Sequence, residues 1–188
     1  MKNLKKMFTV LTVGATVLSL VGCSTNKDIV KKDDSNALET ADTNQIANPW
    51  SEVSSIIEAK AITGFDFIVP DTIDGKSQSL IQVMNDEMIE VRYGDDIIVR
   101  KSKGSEDNSG NFNSYDVVKE ENIEYVAPGS DCGTPDGIVL TLKGSGDTFN
   151  CVTWTRTASQ AGADYSYSIT CGGGLSLETI TEVVNSID

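Results

Sequence analysis

Histidine is absent from the 188-residue chain, which removes the usual proton carrier near neutral pH and the commonest transition-metal ligand. Ser-His-Asp and Cys-His nucleophiles and histidine-based zinc sites are therefore excluded. Oxygen ligands, by contrast, gather at residues 106–113, Glu-Asp-Asn-Ser-Gly-Asn-Phe-Asn. Hard oxygens are what calcium prefers, which makes Glu106, Asp107 and Asn111 the candidate ligands. The EF-hand template is not met: counted from Asp107, glycine stands fourth and Val118 twelfth, where glycine belongs sixth and glutamate twelfth. The alternative is a polar surface loop of turn-forming residues. Arg92, Arg100 and Lys101 form the one basic concentration and offer a seat for a carboxylate or phosphate. Its competitor is ordinary cross-strand pairing with Glu90.

Of the four cysteines, Cys132, Cys151 and Cys171 lie in the body of the chain. An odd number cannot pair completely within one chain, and no CxxC spacing occurs. Cys151 and Cys171 fall on strands expected to be neighbours. If Thr155 lies opposite Tyr167, then 151 lies opposite 171, which predicts a disulfide with Cys132 left free; a reduced, buried pair is the alternative. Trp50, Trp154, Tyr165 and Tyr167 sit at helix-start and strand-alternation positions, where aromatics serve the core rather than a binding platform.

The elements that must position these groups can be read from periodicity. Asn48 and Pro49 suit a helix start. Trp50, Val53, Ile57 and Ala61 then recur at helical spacing until Gly64. Phe65, Phe67 and Val69 alternate as a strand ended by Pro70. Residues 79–84, 88–93 and 96–101 read as strands joined by Asn-Asp and Gly-Asp turns, with Ile89, Val91 and Tyr93 on one face and Glu90 and Arg92 on a wet one. Residues 102–114 form the longest loop. Strands are expected at about 115–126, 137–143, 149–155 and 164–170. A closing helix is capped by Ser176, with Leu177, Ile180, Val184 and Ile187 as its apolar stripe. The fold class is therefore α+β, a curved antiparallel sheet of about seven strands packed on one face by the N- and C-terminal helices.

The N-terminus has a different character. Lys2, Lys5 and Lys6 precede an apolar run from Met7 to Leu20, and Leu20-Val21-Gly22-Cys23 closes it. That is the layout of a secretory signal peptide, shorter than a permanent membrane helix of about 20 apolar residues. The tetrapeptide resembles the lipobox of bacterial lipoproteins, which implies cleavage before Cys23 and diacylglycerol on its thiol. Two or more acyl chains hold a protein stably on a membrane. Removing residues 1–22, with their three lysines and no acid, leaves 166 residues of formal net charge −16, against −13 for the whole chain. So acidic a chain repels phosphate backbones, and nucleic-acid binding is excluded. Residues 23–47 are Ser, Thr, Asn, Asp and Lys with scattered apolar positions, a composition expected of a disordered tether; residues 48–188 are expected to form a single domain.

From Asn48-Pro49-Trp50 through Gly64-Phe65-Asp66, Val69-Pro70, Met88-Ile89-Glu90-Val91 and Arg100-Lys101 to the Tyr165–Ile169 strand, the chain resembles a group of small uncharacterised lipoproteins of Gram-positive bacteria, Clostridia especially. It is similar, more loosely, to a domain of unknown function in lipoprotein and anti-sigma-factor ectodomains. It departs from that pattern at Gly129 to Pro135 and in its three cysteines, and neither resemblance implies an activity. The expected function is a non-enzymatic binding or accessory module of the cell envelope, without cofactor. It would be held on the outer face of the cytoplasmic membrane through lipid on Cys23, facing an envelope component or protein partner. The alternatives are a sensory ectodomain and an envelope-polymer hydrolase using two carboxylates.

Overall fold

The computed structural model describes residues 48–126, 128, 136–158 and 163–188. Cys23, the expected signal segment, residues 23–47 and Cys132 lie outside the described residues. In chain order the elements are β1 (Trp50–Glu52), α1 (Ile56–Thr63), β2 (Thr72–Ile73), β3 (Lys76–Met84), β4 (Met88–Tyr93), β5 (Ile97–Lys103), β6 (Val117–Tyr125), β7 (Asp136–Ser145), β8 (Thr148–Ala158), β9 (Ala163–Ser176) and α2 (Leu177–Asn185). Eight strands pair in the order β1-β3-β4-β5-β9-β8-β7-β6, and β2 adds to β3. Every pairing is antiparallel. The class is α+β, with nine strands in an open curved sheet rather than about seven, the excess coming from the short β1 and β2.

The N-terminal helix is shorter than its periodicity predicts. Asn48 Oδ1 accepts from the Trp50 N–H at 3.2 Å, closing a local turn, and Trp50–Glu52 extend along β3. The helix starts instead after Ser55, whose hydroxyl accepts from the Glu58 N–H, while Glu58 reaches back to the N–H of Ser54. This reciprocal capping outcompetes Asn48. Ile57, expected on the apolar stripe, is 81% exposed, while Ala59 is buried. Gly64 ends the helix as expected, in the left-handed region at φ 78°. Residues 65–69 are not a strand, although Phe65 and Phe67 are buried. Ile68 instead exchanges two backbone hydrogen bonds with Asp188, at 3.0 and 3.1 Å, tying this segment to the C-terminus.

Strand alternation sorts the central residues onto two faces. Ile89, Val91 and Tyr93 of β4, Val99 of β5, Leu140 and Leu142 of β7, Val152 and Trp154 of β8 and Ile169 of β9 point to one side and are buried. Ala59 of α1 and Ile180, Val183 and Val184 of α2 belong to the same apolar cluster. α2 starts at Ser176, whose Oγ accepts from the Thr179 N–H, as its sequence predicts. Glu90, Arg92, Arg100, Ser102, Ser166, Ser168, Thr153 and Thr155 point to the opposite side. This side is only partly wet: Glu90, Ser102, Ser166 and Ser168 are buried. Its cover is the loop between β5 and β6.

Candidate functional site

The polar side of the sheet is organised by one carboxylate. Gln82, Glu90 and Arg100 stand side by side across β3, β4 and β5, so their side chains meet by register alone. Glu90 is fully buried. One of its oxygens accepts from Gln82 Nε2 at 2.7 Å and Arg92 Nε at 2.6 Å, and the other from Arg100 Nε at 2.7 Å. A carboxylate is stable there only because each oxygen meets charged or strongly polar donors. Arg92 and Arg100 do come together, as expected. With Glu90 between them, however, they form a structural triad and not an open anion seat.

Lys101 is not part of this group. Adjacent strand residues point to opposite faces, so Lys101 projects into the apolar side, 6% exposed. Its Nζ lies 4.9 Å from the ring centroid of Tyr165, 5.2 Å from Tyr167 and 5.8 Å from Phe65. No carboxylate among the described residues pairs with it. Burial pushes its pKa down to about 8, opposed by the Asp188 charge. The aromatics do serve the core, as expected: Trp154 stacks on Tyr167, centroids 5.2 Å apart, and both are buried. Trp50 is the exception, since its ring carries the Arg100 guanidinium at 5.6 Å.

Arg100 also holds the loop. Its Nη1 donates to the carbonyls of Asn108 at 3.0 Å and Ser109 at 2.5 Å. The Asn108 amide donates to Ser102 Oγ and to the Ser166 carbonyl, at 2.8 and 2.9 Å, and Lys143 pairs with Asp107 at 3.2 Å. Gly110 sits at φ +62°, and a Cβ there would stand 2.7 Å from Arg100 Nη1, so only glycine lets the backbone pass this close. The loop is thus pinned across the polar face at its middle.

The expected calcium ligands are largely spent on the loop itself. Asp107 Oδ1 accepts from the Ser109 N–H and Oδ2 faces Lys143. Burial works against the Asp107 carboxylate, but the Ser109 hydrogen bonds and the Lys143 ammonium outweigh it and hold its pKa below the ordinary value. Asn111 donates to the Tyr115 hydroxyl and accepts from the Asn113 N–H, leaving Glu106 exposed without them. Among the described residues no cluster of three His, Cys, Asp or Glu side chains gathers.

The expected Cys151–Cys171 disulfide is not formed; both are free and buried. Thr155 pairs with Ser166, not Tyr167, and Cys151 faces Thr170. This one-residue difference puts the two thiols on opposite faces of the sheet. Burial raises the pKa of both, keeping them protonated and weakly nucleophilic.

Two cavities flank the pinned loop. One, of about 310 Å³, is walled by Ser105, Glu106, Thr141, Thr153, Thr155 and Ser166, with Val139 at its margin. The other, of about 370 Å³, lies at the 111–115 end, against Asp96, Asn150 and Thr170. The threonine rows of the first cavity are the functional candidates that motif reasoning missed. Their signal was Thr153-x-Thr155 on the polar face of a predicted strand. No family model matches the chain, and neither a curated protein nor a solved structure matches it.

Proposed function

We propose that this chain is a lipoprotein of the cell envelope, anchored on the outer face of the cytoplasmic membrane through lipid on Cys23, and that its folded domain is a non-enzymatic binding module. The anchoring half rests on the Leu20-Val21-Gly22-Cys23 motif behind a charged and apolar segment. The binding half rests on one observation: Arg100, itself braced by the buried Glu90 carboxylate, holds a 13-residue connection, 104–116, against the polar face of the sheet, with a cavity kept open beside it. Burying charge to position a loop is expensive unless every donor is matched, and loops held on rigid scaffolds are where recognition concentrates. On this reading α1 and α2 both cover the apolar face, which leaves the opposite face for the ligand.

A carboxylate hydrolase fits less well. It needs one carboxylic acid with a raised pKa, and among the described residues the carboxyl groups whose values are displaced, Glu58, Asp96 and Asp107, are displaced downward. No helix among the described residues is long and apolar enough to cross a membrane.

The test uses the full chain on intact cells, with a photoreactive residue placed at Thr155 on the polar face or at Ile57 on α1. Cross-linking to an envelope component from position 155 but not 57 supports the reading. Equal capture at both positions, or at neither, sinks the binding module. Separately, Cys23→Ser should move the protein from the membrane fraction to the medium; unchanged membrane association would sink the anchor.

A further inference from the structure

We propose that the cavity beside residues 105–107 is a saccharide site. This deepens, and rests on, the binding-module reading above. Ser105, Thr141, Thr153 and Thr155 all line the cavity, and none of their hydroxyls has a hydrogen-bond partner among the described residues. They are not sealed either, because the buried side-chain atoms without partners are those of Asn108, Ser168 and Asn185. Four hydroxyls therefore face the cavity with both donor and acceptor capacity unused. Under the loop, by contrast, Ser166 bonds Ser102 at 2.7 Å, and the Asn108 amide donates to both residues. At the cavity wall, four unpartnered hydroxyls gather on adjoining positions.

Their placement is rigid. Thr153 and Thr155 share a face two residues apart on β8, about 7 Å along the strand. Thr141 stands directly opposite Thr153 on β7, about 5 Å away between Cβ atoms. Hydroxyls fixed on a sheet at this spacing meet a ligand whose own hydroxyls are fixed on a ring and, like them, both give and accept hydrogen bonds. Val139, 49% exposed at the cavity margin, supplies an apolar contact for the C–H face that a pyranose also carries. The 310 Å³ volume lies at the lower end of small-molecule sites, roughly 300–1,000 Å³, which suits one or two sugar rings.

The charges exclude other ligand classes. Glu106 faces the cavity and Lys143 is held by Asp107, so no free ammonium or guanidinium lines it for an anion. A cation would find one unshared carboxylate, because Asp107 is already paired. An apolar ligand would leave four hydroxyls unsatisfied, each a loss in a desolvated site. Glu106 instead accepts from sugar hydroxyls at the cavity rim.

The test uses the full chain in an amine-oxide detergent, which carries no sugar head group. Cellobiose and N,N′-diacetylchitobiose are titrated by saturation-transfer NMR and calorimetry, with spermidine and inorganic phosphate as charged probes. Saturable binding of at least one disaccharide is expected, weakened tenfold or more in Thr153→Val/Thr155→Val and unchanged in Thr170→Val, which lies in the other cavity. Valine keeps the strand shape, and Thr141→Val serves as a second variant if the double one melts early. Binding that survives these substitutions, failure of both disaccharides at tens of millimolar, or binding of a charged probe in their place would overturn the proposal. If both disaccharides fail while position 155 still cross-links on cells, the saccharide assignment falls alone. If cross-linking fails as well, the binding-module reading falls with it.

Discussion

Replacing Lys101 with methionine should stabilise the protein, although it removes three aromatic contacts to the ammonium. Lys101 is buried on the apolar face, and its pKa falls from the ordinary 10.5 to about 8. Below pH 8 the lysine is protonated in both folded and unfolded chains, and the folded state bears the full desolvation penalty. Between pH 8 and 10.5 the folded protein sheds the proton first, so the penalty fades as pH rises. A fall of about 2.5 pH units corresponds to about 3 kcal/mol. Attraction of the ammonium to the Phe65, Tyr165 and Tyr167 rings offsets about 1–2 kcal/mol of that, while methionine fills the same space and makes sulfur–ring contacts of its own. At pH 7 the expected gain is therefore about 1–3 kcal/mol, to be read from urea titrations of the wild-type and Lys101→Met chains. At pH 9.5 the gain should be roughly halved. Cys151, Cys171, Tyr93, Tyr125 and Tyr167 all have raised pKa values from burial. They cost stability as pH rises through their unfolded values, but equally in both proteins, so the difference isolates Lys101. A variant less stable than wild type at pH 7, or a difference that is the same at pH 7 and 9.5, would refute this account.

Glu90→Ala leaves two arginines facing each other in a half-buried site and should lose about 3–5 kcal/mol, with faster hydrogen exchange at residues 104–115; a urea titration showing under 1 kcal/mol would contradict the triad. Gly110→Ala combines a left-handed backbone with a Cβ 2.7 Å from Arg100 Nη1. It should lose at least the roughly 1–2 kcal/mol of an L-residue in that region, measured by the same titration, and a neutral result would mean the loop is not pinned there. Ser168 is 1% exposed and its hydroxyl has no partner, so Ser168→Ala should be neutral or gain up to about 1 kcal/mol by thermal melting, whereas a clear loss would reveal a hidden partner. Cys151 and Cys171 should alkylate with iodoacetamide only after denaturation and without prior reduction, as peptide mass mapping would record; a requirement for reductant would restore the disulfide.

Much of the scaffold is legible from local rules. The strands of residues 79–101 follow from period-two alternation between turn pairs, and α2 follows from Ser176 and its apolar stripe. Both signals lie within about ten residues of one another, so no tertiary contact can overturn them easily. The N-terminal helix was less legible because two capping solutions competed. Asn48 and Ser55 each had helix-start chemistry, and the outcome turned on Glu58 answering Ser55 and on β3 offering Trp50–Glu52 an edge to pair with. The absence of histidine and the strong negative charge needed no structure at all to exclude whole classes of chemistry.

What only the tertiary structure decided is which side chains share a face and what lies over them. Arg100 and Lys101 are neighbours in the chain, yet one anchors a loop on the polar side and the other is boxed by rings in the core. Cys151 and Cys171 were separated by a register difference of one residue, in a register that runs unbroken from the Cys151–Thr170 pair to the Ala158–Ala163 pair and that local sequence does not announce. The free hydroxyls of Thr141, Thr153 and Thr155 acquire meaning only because β7 and β8 bring them together and the Arg100-held loop walls them in. Composition and periodicity act over a turn or two of chain. Register and loop docking are set by contacts between residues far apart, such as Ser102 with Ser166 or Arg156 with Asp188, and these exist only once the chain has folded.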